Sequence, residues 1–294
     1  MNRPPETFNA SLLEGQLSRS QQSLLRDYGI KPVKRRGQNF LVDTNLARAI
    51  AQDSLDLGHE VLELGAGGGA LTVHLLESAD KVVCVEVDRH LCALLTAEYG
   101  DRENFELVEG DLAKLDWVQT LQLAGPRPVV AGNLPYVLTS KVLFALADHR
   151  QMISGAVFMV QKEVAERLVA TCGGRDFGIL AVVLGSIFKI RISRTVPASV
   201  FWPRPDVESA VVQLVPAGSW PDEEYRQFLA VVKALFQQRR KKLRTQLRSH
   251  FKLSAESIQT LAENAAVDMD LRPEQLDAPS WRRLASMLPR KETP

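Results

Sequence analysis

The chain has 294 residues, 36 Lys and Arg against 35 Asp and Glu, with 45% apolar and 24% charged side chains. That composition supports a full hydrophobic core in one large domain, or a large one with a small companion, and excludes a fold that depends on disulfides or metals. Cys84, Cys92 and Cys172 make no Cys-x-x-Cys or Cys/His ligand spacing and point to a reducing compartment.

The longest apolar run, 177–188, is about 12 residues against the roughly 20 that a bilayer span needs, so it reads as core. The amino-terminal stretch shows no apolar segment followed by a cleavage site. Arg3, Glu6, Glu14 and Arg19 mix signs where a transit peptide avoids acids, so the cytoplasm is the expected compartment.

Residues 1–27 read as a polar, loosely ordered extension. From residue 43, Leu46, Ile50, Ala51 and Leu55 have helical spacing, and 61–64 is a short apolar strand ending at Gly65. A helix near 71–77, a β-branched strand at 81–87, a helix at 91–99, strands at 105–108 and 128–131, a helix at 140–147 and a strand at 156–160 follow. Short continuous apolar strands alternating with helices predict a mostly parallel, Rossmann-like sheet with helices on both faces, whose ligands bind at the carboxyl ends of the strands. A Pro-rich stretch at 196–216 leads into one last strand. Gly218-Ser219-Trp220-Pro221 then marks a boundary, beyond which the pattern is helical at 222–238, 240–249, 254–265 and 280–288. The expected domains are 28–218 (α/β) and 219–294 (small, all-α).

Near-zero net charge hides an asymmetry. Residues 1–225 carry 22 basic and 28 acidic side chains, and residues 226–294 carry 14 and 7. Nine Lys or Arg and no acid lie between Arg226 and Lys252, centred on Arg239, Arg240, Lys241 and Lys242; a second cluster is Lys31, Lys34, Arg35 and Arg36. One basic run is as readily a solvated helix face, but two favour a polyphosphate partner, because each neutralised phosphate releases counterions.

Gly65-Ala66-Gly67-Gly68-Gly69-Ala70 follows a strand and opens a helix, and Glu86 stands 21 residues after Gly65 at the end of the next strand. Glycines let backbone approach a ligand and the acid suits ribose hydroxyls, so a nucleoside-containing cofactor is expected. NAD and S-adenosylmethionine (SAM) both remain open on the loop alone. Glu63 is an acid where a dinucleotide site usually has apolar strand, and Asp111 ends the third strand with a carboxylate suited to an adenine amino group.

Asn133-Leu134-Pro135-Tyr136 ends the fourth strand and resembles the Asn-Pro-Pro-Tyr loops of enzymes that methylate exocyclic amines. Such an amine is a poor nucleophile because its lone pair is delocalised into the ring. If the Asn133 side-chain oxygen and the carbonyl of Leu134 or Pro135 each accept one N6 hydrogen, the nitrogen is drawn toward sp3 and aimed; Tyr136 offers a flat face to an extruded base.

With these residues go Lys34-Arg35-Arg36-Gly37-Gln38-Asn39-Phe40-Leu41, the segments 161–168 and 177–178, Phe201-Trp202-Pro203-Arg204-Pro205-Asp206-Val207-Glu208-Ser209-Ala210, and 236–244. Together they resemble the KsgA-type small-subunit (16S) ribosomal RNA adenine N6,N6-dimethyltransferases from Tyr28 to the carboxyl terminus. The resemblance implies a class I SAM-dependent methyltransferase fold acting on two adjacent adenosines near the 3′ end of small-subunit rRNA in a ribosome assembly intermediate. It also implies a monomer without metal. Asn39, Leu41, Gly65, Gly67, Glu86, Asp111 and Asn133 would then contact SAM, and Asn133, Pro135 and Tyr136 the adenine. Phe201 is a candidate second stacking face, with Arg35, Arg36, Arg239, Arg240, Lys241 and Lys242 on RNA phosphates.

Ala66 in place of a proline and Phe177 in place of a tyrosine depart from that family without removing a needed group, and the first 25 or so residues have no counterpart in most members. Rival readings are a large-subunit rRNA methyltransferase of the macrolide-resistance type, a transcription factor of the same fold, a non-catalytic rRNA-binding assembly factor, and a dehydrogenase. The five histidines show no partner spacing and receive no role; Trp117, Trp220 and Trp281 read as packing anchors.

Overall fold

Side-chain oxygens punctuate the chain: Ser20, Asp43, Asp88 and Asp116 each accept a backbone N–H from the first turn of the helix that follows. The computed structural model describes residues 20–33, 37–218 and 220–289. Its elements begin α1 (Gln21–Asp27), β1 (Phe40–Leu41), α2 (Thr44–Leu55), β2 (Glu60–Leu64), α3 (Thr72–Leu75), β3 (Lys81–Glu86), α4 (Arg89–Tyr99) and β4 (Phe105–Glu109). They continue α5 (Trp117–Ala124), β5 (Val129–Asn133), α6 (Thr139–Asp148), β6 (Gly155–Gln161), α7 (Lys162–Leu168), α8 (Ile179–Ile187), β7 (Phe188–Val196), β8 (Phe201–Trp202) and β9 (Ser209–Pro216). Four helices close the chain: α9 (Asp222–Phe236), α10 (Leu243–Phe251), α11 (Ala255–Ala265) and α12 (Ala278–Met287).

Seven strands form one sheet in the order β4-β3-β2-β5-β6-β9-β7, and β2 through β6 pair in parallel. Every residue from Val61 to Leu64 and from Val82 to Glu86 is buried, as are Val129 to Gly132 and Gly155 to Val160, so these strands are covered on both faces. The outer strand β4 is only half-buried and β7 alternates toward solvent. The chain runs outward from β2 through β3 to β4, then returns to the other side of β2 as β5. That reversal opens a crevice at the carboxyl ends of β2 and β5. A separate two-stranded sheet pairs β1 with β8, Phe40 opposite Trp202 and Leu41 opposite Phe201.

Contacts divide the chain into two units. The first takes residues up to Lys162 with Ser193–Gln213; the second takes Glu163–Ile192 with the chain from Leu214. The second unit is mainly helical. Trp281, Tyr225 and Phe228 are buried to within 2%, Phe236 stacks on Trp281 at 5.4 Å, and Arg282 lies 4.0 Å above the Trp220 ring. Trp117 and Trp220 are buried too, as the sequence suggests for packing anchors.

Three elements differ from the sequence expectation. Residues 21–27, inside the expected loose extension, form α1, which buries Leu24 and Leu25 in the core of the first unit; residues 1–19 lie outside the described residues. The helix expected at 71–77 is confined to Thr72–Leu75. The helix expected at 240–249 begins at Leu243, so Arg239 to Lys242 occupy the preceding turn.

Candidate active site

The glycine turn after β2 is built from residues that leave the ordinary backbone regions. Gly65 and Gly67 hold φ of +72° and +58°, where a side chain would strain the turn. Glu86, at the end of β3, fastens that turn: Oε2 accepts the Gly67 N–H at 2.9 Å, and Oε1 accepts Val87 N–H at 2.8 Å and Asp88 N–H at 2.9 Å. A carboxylate offers about four lone-pair sites, so one remains for a ligand. Burial pushes the Glu86 carboxyl above its ordinary range, and the three backbone donors oppose that. Asp111, after β4, accepts the Ala113 N–H through Oδ1 at 2.8 Å.

Asn133 closes β5. Its Nδ2 donates to the backbone carbonyl of Asn39 at 2.9 Å. A carbonyl can only accept, so the amide must present its NH2 there and turn its oxygen away, leaving Oδ1 as an acceptor. The carbonyl of Pro135 is engaged, accepting the Leu138 N–H at 2.9 Å and the Thr139 hydroxyl at 3.5 Å. Among the described residues no donor is found on the Leu134 carbonyl, which makes it, of the two carbonyls that the sequence left open, the candidate acceptor for a substrate. Tyr136 is partly buried, its hydroxyl 2.9 Å from Ser209 Oγ.

These groups line one cleft of about 940 Å³, which brings together Asn39, Leu41, Gly65, Gly67, Glu86, Asp111, Asn133, Pro135 and Tyr136. Gln38 ties the covering segment to the far wall: Oε1 accepts the Val33 N–H at 2.8 Å and Nε2 donates to Asp88 Oδ2 at 3.4 Å. Among the described residues, the lining includes the carboxyls Glu63, Glu86 and Asp111 and no Lys or Arg. That electrostatic balance suits a sulfonium cation and opposes a pyrophosphate, so the residues fit SAM and not a dinucleotide.

Other expected residues lie elsewhere. Phe201 is 4% exposed, packs in the core beside Leu41 and is absent from the cleft lining, because the β1–β8 pairing turns it inward. Arg239 is paired with Glu274 at 3.0 Å, and Lys242, with Arg244, is paired with Asp270, so part of the basic run is neutralised within its own unit. Arg240 and Lys241 are exposed, with no acidic partner among the described residues. Arg35 and Arg36 lie outside the described residues. Ser209 and Gln21 are the contributors the sequence leaves unassigned; Ser209 stands inside a recognisable motif, whereas nothing in the sequence marks Gln21 as cleft lining.

The strand order, the glycine turn and the acceptor loop define a class I methyltransferase fold. The chain belongs to the Ribosomal RNA adenine dimethylase family, which matches residues 31–288. Among curated relatives, "Ribosomal RNA small subunit methyltransferase A" of Anaeromyxobacter sp. (strain K) is 40% identical over 281 residues, covering 92% of this chain and 98% of the relative. The protein of that name from Pseudomonas aeruginosa is 39% identical over 258 residues, 87% and 94% of the two chains. Among solved structures, a dimethyladenosine transferase from Plasmodium falciparum superposes with a TM-score of 0.66 at 24% identity, covering 83% of this chain and 95% of its own. The 23S rRNA methyltransferase ErmE gives 0.64 at 23%, covering 85% and 99%. These two likenesses concern the fold. Among the described residues, no helix is long and apolar enough to cross a membrane and no group of three or more His, Cys, Asp or Glu is placed to hold a metal ion.

Proposed function

We propose that this chain transfers methyl groups from SAM to N6 of two adjacent adenosines near the 3′ end of small-subunit (16S) rRNA, giving dimethyladenosine during small-subunit assembly. The observation that carries this reading is the pair of acceptors at the end of β5: Asn133 Oδ1, aimed by the bond from Nδ2 to Asn39, and the Leu134 carbonyl beside a Pro135 carbonyl already engaged. Family membership and the relatives' names support the small-subunit substrate over a large-subunit one.

Bound in the cleft, SAM supplies an electrophilic methyl on a positively charged sulfur. The chain's part is to hold both partners. Glu86 would take a ribose hydroxyl through its remaining acceptor site and Asp111 the adenine amino group, with Gly65 and Gly67 allowing close backbone approach and Asn39 and Leu41 covering the cleft. On the substrate side, Asn133 Oδ1 and the Leu134 carbonyl would accept the two N6 hydrogens. The lone pair is thereby withdrawn from the ring and directed into the cleft, while the Tyr136 ring supports the flipped base. Neither acceptor has to ionise.

Arg240 and Lys241, exposed and without an acidic partner among the described residues, would meet rRNA phosphates, with Arg239, Lys242, Arg35 and Arg36 as further contacts. On this reading the enzyme acts as a monomer, and the cysteine pattern supports the cytoplasm. Parallel incubations of isotopically labelled SAM with small subunits lacking the modification and with large subunits, followed by mass spectrometry of the small-subunit rRNA 3′ fragment and of the large-subunit rRNA, test the reading. Two neighbouring dimethyladenosines are expected. Label confined to large-subunit RNA, or none in any RNA, would overturn it.

A further inference from the structure

The segment 201–210 is the longest recognisable motif in the sequence that the chemistry above leaves without a task. Both of its ends reach the active site. At its start, Phe201 pairs with Leu41 and so braces the strand that covers the cleft. At its end, Ser209 opens β9 with no exposed surface, its Oγ 2.9 Å from the Tyr136 hydroxyl. The neighbouring backbone is held in place: the Glu208 carbonyl accepts the Lys162 N–H at 3.0 Å, and its carboxylate pairs with Lys162 Nζ at 2.8 Å. Ser209 is therefore presented from the end of β6 and has little freedom of its own.

A tyrosine needs such a partner when its ring serves as a platform. The χ2 well of an aromatic side chain is broad, so rotamer preference alone does not set the tilt of the ring. Tyr136 follows a proline in a short turn, and its neighbour Val137 is 82% exposed, so packing on that side does not set the tilt either. A hydrogen bond at the far end of the ring fixes the direction in which the ring points, and because the conjugated phenolic O–H prefers the ring plane, the bearing of its partner also biases the tilt. The phenol stays protonated, since burial moves its pKa upward, and can exchange donor and acceptor roles with the serine hydroxyl.

We infer that Ser209 is a positioning residue for methyl transfer: through its hydroxyl it holds the Tyr136 ring in the plane against which the target base stacks. The inference rests on the adenine reading of the cleft given above, and it assigns the motif 201–210 the work of bracing the covering strand at one end and the stacking platform at the other.

The test uses the full chain with Ser209→Ala, Tyr136→Phe and the double variant. Three readouts are taken: single-turnover methylation of small subunits at saturating SAM, SAM affinity by calorimetry, and quenching of a 2-aminopurine placed at the target position of an RNA fragment. Loss of one neutral hydrogen bond predicts a drop of about five- to tenfold in kcat/KM for RNA in each single variant. SAM affinity should stay as in the wild type, the quench should weaken in both, and the double variant should be no worse than either single one. A merely structural serine would lower thermal stability while leaving turnover and quenching per folded molecule unchanged, and that result overturns the inference, as do losses that multiply in the double variant. Should Ser209→Ala fail to fold, Tyr136→Phe interrogates the same bond from the cleft side, and wild-type turnover and quenching in it have the same force. A wild-type protein that methylates no RNA would instead remove the functional reading itself.

Discussion

Replacing Glu63 by Gln should make the protein more stable at alkaline pH and leave it unchanged at acid pH. Glu63 is 2% exposed, and its Oε2 accepts the Thr72 hydroxyl at 2.6 Å and the Cys84 thiol at 3.3 Å. Burial raises its pKa from 4.5 to about 7; the hydrogen bonds from Thr72 and Cys84 pull it down, and the nearby Glu86 charge pushes it up. The folded state thus holds this proton more tightly than the unfolded chain does. The associated stability is complete below the unfolded value near 4.5 and is lost as pH rises through about 7. At 1.36 kcal/mol per pKa unit, the loss is on the order of 3 kcal/mol. A glutamine cannot ionise, yet its amide oxygen still receives Thr72 and Cys84. Urea denaturation of both proteins from pH 3.5 to pH 9 at constant ionic strength should give curves that coincide at the acid end and separate by about that amount in favour of the glutamine by pH 8.5. Because Glu63 lines the cleft, a cationic ligand should also bind the wild type more tightly as pH crosses 7, and the variant should lack that slope. A stability difference that does not change with pH would refute the assigned protonation.

Asn133→Ala removes one aimed acceptor and should cut the single-turnover rate by roughly 10²- to 10³-fold with SAM affinity within a few-fold, as seen by rapid quench and calorimetry. Gly132→Ala would drive a methyl into the Leu64 backbone carbonyl of the neighbouring strand, so the midpoint of thermal unfolding should fall with a loss of about 1–3 kcal/mol, and methyl transfer should fall with it. Leu25→Ala, at a fully buried position of α1, should cost about 2–5 kcal/mol in urea titrations, whereas a loose extension would show no change. The double change Arg240→Ala with Lys241→Ala should weaken RNA binding and lower the slope of log affinity against log salt by about 2, while Arg239→Ala, already paired with Glu274, should do less.

The parallel sheet was readable because its strands are short apolar runs, Val61–Leu64 interrupted only by Glu63, with Val82–Val85 and Val129–Ala131 continuous, a pattern that few other arrangements can bury. The cleft was readable for a similar reason: the glycine turn, Glu86, Asp111 and Asn133 all sit at strand ends, so strand order alone brings them together. What escaped depends on contacts between distant parts of the chain. The bond orienting Asn133 comes from a residue 94 positions away, and the partner of Tyr136 from one 73 positions away; neither spacing has a local signature. Helix α1 offers only Leu24 and Leu25 as apolar residues in seven positions, too few for a periodicity to stand out, and it is held by what lies beneath it. Phe201 was a stacking candidate only through the family resemblance, and pairing between β8 and β1 buries it. The basic run was visible, whereas the neutralisation of Arg239 and Lys242 required Glu274 and Asp270 to fold back onto it.

The bond between Asn133 and the backbone of residue 39 sets a condition on repeated turnover. Were the exchange of spent donor for fresh to move the strip carrying Asn39, the hydrogen bond that orients the Asn133 side chain would go with it. An adenosine that reaches an uncovered crevice would meet an amide free to spin, with its donor end as ready to face the amine as its acceptor end. Donor first, nucleobase second is therefore the sequence of arrival this architecture rewards, and each added methyl would require the gate to be shut anew.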